Sequence, residues 1–160
     1  MKKVQYRKIL LTYDGSKLAN AAIPHALSIA SVYGSKVTLL YVIEPVGQEI
    51  ANIQSAVLVT PVETIAGVAE EIVAAGKIKA EKQLNKIRSE LEIGGIKLVR
   101  VKVVEGFADS KIVEVAKKEF CDLIVMSTHG RSGLGRVLLG SVADYVVRNA
   151  SCPVLLVHPQ

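Results

Sequence analysis

Five short β-rich runs alternate with helical patterns along the chain, and this alternation restricts the fold more than any other feature. The runs are Lys8–Thr12, Lys36–Ile43, Ile96–Val104, Asp122–Ser127 and Val154–Val157. The middle runs, KVTLLYVI and DLIVMS above all, are almost unbroken apolar stretches, as expected of strands buried on both faces of a parallel sheet. Strands and helices in the order βαβαβαβαβ predict an open, doubly wound five-stranded parallel sheet with helices on both faces and right-handed crossovers. The core of such an α/β fold must come from Val, Ile, Leu and Ala here. Half of the residues are hydrophobic, but only 4% are aromatic and Trp is absent.

The helical patterns have readable ends. Ser16 is placed to cap a helix that reaches about Tyr33 and stops at Gly34. Leu18, Ala22, Leu27, Ile29 and Ala30 give it an apolar side, and Pro24 in its interior predicts a kink. A longer helix spans about Val62 to Ile93, with Ile65, Val68, Ala69, Ile72, Val73, Leu84, Ile87 and Leu91 at three- and four-residue spacing. Gly94-Gly95 ends it. A third helix starts near Asp109, with Ile112, Val115 and Ala116 inward, and a fourth starts at Ser141. The segment Glu44 to Pro61 is the one long irregular connection, the kind that serves as a lid, interface or mobile segment. At 160 residues, with no internal repeat, one domain over residues 1–160 is expected.

Charge and cysteine usage exclude several classes. The net charge is +5, yet the basic residues are scattered and no aromatic stripe accompanies them for base stacking. A solvated surface explains them better than a nucleic-acid partner. No uncharged apolar run approaches the roughly 18 residues that a membrane span requires. The longest such stretch, Ser55 to Gly76, is interrupted by Glu63, Glu70 and Glu71, and no leader is read behind Met1-Lys2-Lys3. Cys121 and Cys152 sit in apolar surroundings without metal or redox spacing, which reads as reduced thiols and a cytoplasmic location.

The chemistry concentrates in one loop. After the fourth strand, Ser127-Thr128-His129-Gly130 leads through Gly133 and Gly135 to Gly140-Ser141. Glycine lets a backbone approach a ligand with no Cβ in the way. A strand, a Gly-rich loop and a helix N-terminus present successive N–H groups to an anion. Arg131 and Arg136 add positive charge. The plain alternative is a flexible surface loop with Ser141 capping its helix. The spacing is neither a Walker A loop nor the dinucleotide fingerprint, so a P-loop kinase or a dehydrogenase is disfavoured. In doubly wound sheets the ligand sits at the C-terminal strand ends, which directs attention to Thr12-Tyr13-Asp14-Gly15, Tyr41-Val42-Ile43 and Met126-Ser127-Thr128-His129-Gly130.

At this point the chain resembles the universal stress protein family along essentially its whole length. Nucleotide-binding members carry Gly, two residues, Gly, nine residues, then Gly and Ser or Thr. Gly130, Gly140 and Ser141 match that pattern, and Ser127 replaces the first glycine. Lys8-Ile9-Leu10-Leu11 leading to Asp14-Gly15-Ser16, Asp122-Leu123-Ile124-Val125-Met126, and Cys152-Pro153-Val154-Leu155-Leu156-Val157 also fit. The resemblance implies a Rossmann-like fold of the adenine nucleotide alpha hydrolase type, with a site for ATP, ADP or AMP. By position, Asp14 would approach the ribose–phosphate region, the Val42 backbone would face the adenine, and Met126 would pack near the nucleoside. Gly130, Gly140, Ser141 and Val142 would hold the phosphates and ribose, and Thr12 and Ser127 complete the implied nucleotide-binding set. Mg²⁺ or Mn²⁺ carried by the phosphates would reach Asp14 indirectly. Serine at position 127 is harmless if its backbone is extended and weakens binding if the position needs a positive φ.

Single residues have duller readings as well. Asp14 can simply form the Asp-Gly turn and cap the next helix. His129 lacks any partner with metal spacing, and His25 and His158 have still less to recommend them. No nucleophile stands out, so no catalytic residue is assigned. Three functions remain open: a non-enzymatic stress-response switch, a slow ATPase or autophosphorylating enzyme in the same pocket, and a dimerisation module without nucleotide. The resemblance implies a homodimer through Val154–Val157, if that strand lies at a sheet edge.

Overall fold

In the computed structural model, which describes residues 4–45, 62–128 and 139–158, five strands form one sheet. They are β1 (Lys8–Thr12), β2 (Lys36–Ile43), β3 (Val99–Glu105), β4 (Leu123–Ser127) and β5 (Val154–Val157). Every neighbouring pair is parallel, and the order is β3-β2-β1-β4-β5. β1 is therefore the centre, with the strand order reversing between β1 and β4. β3 is an edge strand, which explains why Arg100 and Lys102 are tolerated within it. β5 is the other edge.

The helices are α1 (Ala22–Tyr33), α2 (Val62–Ile93), α3 (Ala108–Lys118) and α4 (Ser141–Asn149), with a short 3₁₀ turn at Leu18–Ala21 ahead of α1. Side chains alternate across each strand, so the sheet builds two cores. Ile9, Leu11, Val37, Leu39 and Val125 pack with Ala22, Ala26 and Ala30 of α1 and Leu84, Ile87 and Leu91 of α2. On the opposite face, Leu10, Leu40, Ile124 and Met126 pack with Ile112, Val115 and Ala116 of α3 and Ala143 and Val146 of α4. Each fully buried Leu or Ile contributes about 1.5–3 kcal/mol relative to exposure.

Three details depart from the sequence-based expectation. The Pro24 kink is absent, because the Ser16–Ala21 segment is a separate turn: Ala19 donates to Ser16 Oγ at 3.1 Å, and α1 begins only at Ala22. Pro24 thus lies in the first helical turn, where its missing N–H breaks no bond. β3 starts at Val99 rather than Ile96, since the Ile96 N–H closes the end of α2 on the Leu91 carbonyl at 3.0 Å. And among the α2 side chains that are described, burial begins only at Ala80; Ile72 remains 38% exposed. A helix of 32 residues is about 48 Å long and outruns strands of four to eight residues. Gly34 ends α1 as expected, in the left-handed conformation at φ 63°.

Candidate functional site

Past Leu11 and Val125 the pairing of β1 with β4 ends, and the strand order reverses at this point. A cavity of about 290 Å³ opens there, at the C-terminal strand ends. Thr12, Tyr13 and Asp14 leave β1 into it, Leu40, Val42 and Glu44 come from β2, and Met126, Ser127 and Thr128 come from β4. Gly140, Ser141, Val142 and Ala143 at the start of α4, together with Ala108 and Ile112 of α3, close the other side. Eight of the residues singled out from the sequence share this one cavity: Thr12, Asp14, Val42, Met126, Ser127, Gly140, Ser141 and Val142. Gly130, with His129, Arg131 and Arg136, lies outside the described residues.

The local backbone explains the placement. Tyr13 N–H donates to the Leu40 carbonyl at 2.9 Å, which holds the exit of β1 beside β2. Asp14 Oδ1 then accepts the Ser16 N–H at 2.9 Å, and Gly15 adopts φ 84°. Only glycine enters that conformation at no steric cost, and a Cβ there would also meet Gln83 Oε1 at 3.2 Å. The turn reading of Asp14 is therefore realised, while the same residue still lines the cavity.

Gly140 is the N-cap of α4 in an extended conformation, with no side-chain cap bond among the described residues, and Ser141 is the first helical residue rather than the cap. The first N–H groups of the helix thus open toward the cavity beside Gly140 and Ser141. Such groups, with the helix dipole, favour an anion. Ser127 is the last residue of β4 and keeps a strand backbone; among the described residues only Phe120 is a non-glycine with positive φ. Its Cβ therefore carries no backbone strain.

The walls divide by polarity. Leu40, Val42, Ile112 and Met126 are buried and apolar, whereas Thr12, Asp14, Ser127, Ser141 and the α4 amides are polar. Burial, then the charges of Asp14 and the nearby Tyr41 and Glu90, push the Tyr13 phenol upward, so it remains a neutral hydroxyl at neutral pH. A second cavity of about 460 Å³ adjoins the first and shares Asp14 and Glu44 with it. Among the described residues, no cluster of three or more His, Cys, Asp or Glu is arranged for a metal ion.

Several lining residues escape the sequence reading. Tyr13 and Thr128 lie inside stretches it marks, but Ala108, Ile112 and Glu44 carry no local signal; α3 reaches the cavity only through the crossover. His158, dismissed from the sequence, places Nδ1 3.2 Å from Thr128 Oγ1. No helix among the described residues is long and apolar enough to cross a membrane.

Comparison with known proteins places this geometry. The universal stress protein family model matches residues 5–158. The chain is 38% identical to universal stress protein MJ0531 of Methanocaldococcus jannaschii over 152 residues, covering 95% of this chain and 82% of that one. The solved structure of MJ0577, from the same organism, aligns with a TM-score of 0.81 at 30% identity, covering 98% of this chain and 99% of that one. A universal stress protein of Archaeoglobus fulgidus in complex with dAMP shares the fold, with a TM-score of 0.63 at 19% identity over 96% of this chain and 99% of that one. A five-stranded sheet in this order, a crevice between β1 and β4, and a family match across nearly every residue converge on one conclusion: the chain belongs to the universal stress protein family.

Proposed function

We propose that the protein binds an adenine nucleotide, ATP, ADP or AMP, in the cavity between β1 and β4 and acts as a non-enzymatic switch in the stress response. The observation that carries this reading is the N-terminus of α4, led by Gly140, standing at a cavity whose other wall is apolar. The two chemistries of a nucleotide match the two walls. Phosphate oxygens accept from the backbone N–H groups of Ser141 and Val142, with Gly140 giving them an approach free of a side chain, while the base packs against Val42 and Met126; Gly130 is assigned to the same phosphate side. Thr12, Asp14 and Ser127 stand at the junction, where ribose hydroxyls need hydrogen-bond partners. Asp14 is also placed to meet Mg²⁺ or Mn²⁺ brought by the phosphates. A family relative solved with dAMP supports the adenine class.

The cavity, about 290 Å³, is near the lower end of ligand-site volumes, about 300–1,000 Å³. The edge position and half-buried apolar side chains of β5 support a homodimer formed by that strand. We further place the protein in the cytoplasm, as one domain over residues 1–160, in keeping with its free thiols at Cys121 and Cys152.

The test is direct. Protein purified without added nucleotide is denatured, the released small molecules are identified by mass and absorbance, and ATP and AMP are titrated calorimetrically into nucleotide-free protein. Co-purified adenine nucleotide or micromolar affinity supports the reading. Absence of both overturns it and leaves a dimerisation module. Phosphate release that tracks bound ATP would replace the switch with a slow ATPase. A monomer by light scattering at micromolar concentration would remove the dimer.

A further inference from the structure

Three hydrogen bonds from different parts of the fold converge on Thr128. Its N–H donates to the Val157 carbonyl at 2.9 Å, which ties it to the edge strand β5. Its carbonyl accepts the Gly140 N–H, also at 2.9 Å, which ties it to the N-cap of α4. Its Oγ1 lies 3.2 Å from Nδ1 of His158, the residue directly after β5. Thr128 is itself buried and lines the cavity, whereas His158 is exposed and stands outside it. One side chain and one peptide thus link the cavity, the first turn of α4 and the end of the edge strand.

We propose that Thr128 is a positioning residue that couples occupancy of the nucleotide cavity to the order of the β5 edge, with His158 as its partner on the strand side. The proposal rests on the nucleotide reading above and adds the route by which binding reaches the surface. An anion taken up by the α4 amides fixes the peptide at Gly140, because those donors then have an acceptor on both sides of the turn. Gly140 is bonded to the Thr128 carbonyl, so Thr128 is fixed with it. Thr128 holds both the Val157 carbonyl and the His158 ring, and β5 is consequently ordered at its C-terminal end. Linkage is reciprocal: whatever orders β5, a second copy of this strand included, must raise nucleotide affinity by the same factor.

The experiment is amide hydrogen exchange of residues 154–157, with and without saturating ATP or AMP, in the wild type and in Thr128→Val, Thr128→Ser and His158→Ala. The valine keeps the shape of threonine and deletes Oγ1, and the serine restores the hydroxyl. Nucleotide should slow β5 exchange about five-fold or more in the wild type and Thr128→Ser, the scale of a typical coupling energy. In Thr128→Val and His158→Ala the slowing should be at least about two-fold smaller than in the wild type, because the Oγ1–Nδ1 link is cut while the two backbone bonds remain. If Thr128→Val does not fold, His158→Ala decides, since that side chain is exposed. Full slowing in both variants overturns the role of Thr128. Nucleotide binding with no slowing of β5 in the wild type overturns the coupling and leaves the nucleotide reading standing. No binding by the wild type overturns both.

Discussion

The carboxylate of Asp122 accepts the backbone N–H of Lys8 at 2.8 Å, across 114 positions of sequence. The same Oδ2 accepts the Arg7 N–H at 2.8 Å, and the Asp122 N–H returns a bond to the Lys8 carbonyl. β1 and β4 are thereby fastened at their N-terminal ends, the ends opposite the cavity. Their paired register runs only from Ile9↔Leu123 to Leu11↔Val125, and beyond it the strands part. Fixing one end lets the other open as a crevice of defined width. Asp122→Ala removes a charged acceptor from two amides and should cost about 1–2 kcal/mol, seen as a fall in melting temperature of about 3–6 °C. Asp122→Asn keeps one acceptor oxygen and should lose about half as much. Equal losses in the two variants would show that the carboxylate's charge, rather than its geometry, matters.

Ser127 departs from the glycine that the family resemblance implies at this position, and the structure gives the departure a physical reading. Its backbone is that of the strand it ends, so no positive φ is forced on a serine. Ser127→Gly should change nucleotide affinity by less than about three-fold in calorimetry, or about 0.65 kcal/mol. A gain of ten-fold or more would mean that the serine side chain occupies ligand space.

Asp14 serves a turn and faces the cavity, and two variants separate these roles. Asp14→Asn preserves the acceptor that takes the Ser16 N–H, so its stability should stay within about 0.5 kcal/mol of wild type. Its nucleotide affinity should nevertheless drop about ten-fold if the carboxylate meets the ribose or a phosphate-borne cation, since a charged acceptor is roughly twice as strong as a neutral one. Asp14→Ala should lose both stability and affinity. Unchanged affinity in Asp14→Asn would confine Asp14 to the turn.

Acid sensitivity has a named contributor. Partial burial opposes the charged form of Glu119, but hydrogen bonds from Lys102 and the Thr38 hydroxyl, with the Lys102 charge, outweigh it and hold the carboxyl below its ordinary value. A lowered folded-state value stabilises the fold above the unfolded pKa, about 4.3, and that contribution disappears as pH falls through the lowered value. Glu119→Gln should therefore lower the melting temperature at pH 7 and have a smaller effect at pH 3. A penalty of equal size at both pH values would assign the effect to packing instead.

Legibility followed the kind of force acting at each residue. β2 and β4 could be read directly because a strand covered on both faces must be apolar throughout, and Gly34 marked the end of α1 because a left-handed residue was required. Thr12, Asp14, Val42, Met126, Gly140 and Ser141 could be marked because strand ends and helix starts are local events. The remainder depended on tertiary partners. Pro24 looked like a kink until a separate turn took the residues before it, and Ile96 looked like strand until its N–H was needed to close α2. Ile112 and Ala108 reach the cavity only because α3 crosses back over the sheet. His158 meets Thr128 from 30 positions away, a contact that no local pattern announces.

Gly140 offers the sharpest separation of binding from folding. Its φ of −68° and ψ of 154° are open to any residue, so a side chain there brings no backbone strain. Its N–H is bonded to Thr128 and its carbonyl takes the Asp144 N–H at 2.9 Å, bonds that a non-proline substitution retains. A valine would instead put its branched Cβ at the mouth of the α4 N-terminus, where phosphate oxygens must come within about 3 Å of the amides. Gly140→Val should therefore melt within about 1 kcal/mol of wild type, as measured by denaturant titration, and bind ATP or AMP at least about 100-fold more weakly. Gly140→Ala, with less bulk, should fall between the two in affinity. If Gly140→Val keeps wild-type affinity, the phosphates do not lie against this helix start. If it loses affinity only in proportion to lost stability, the residue shapes the loop rather than contacting the ligand.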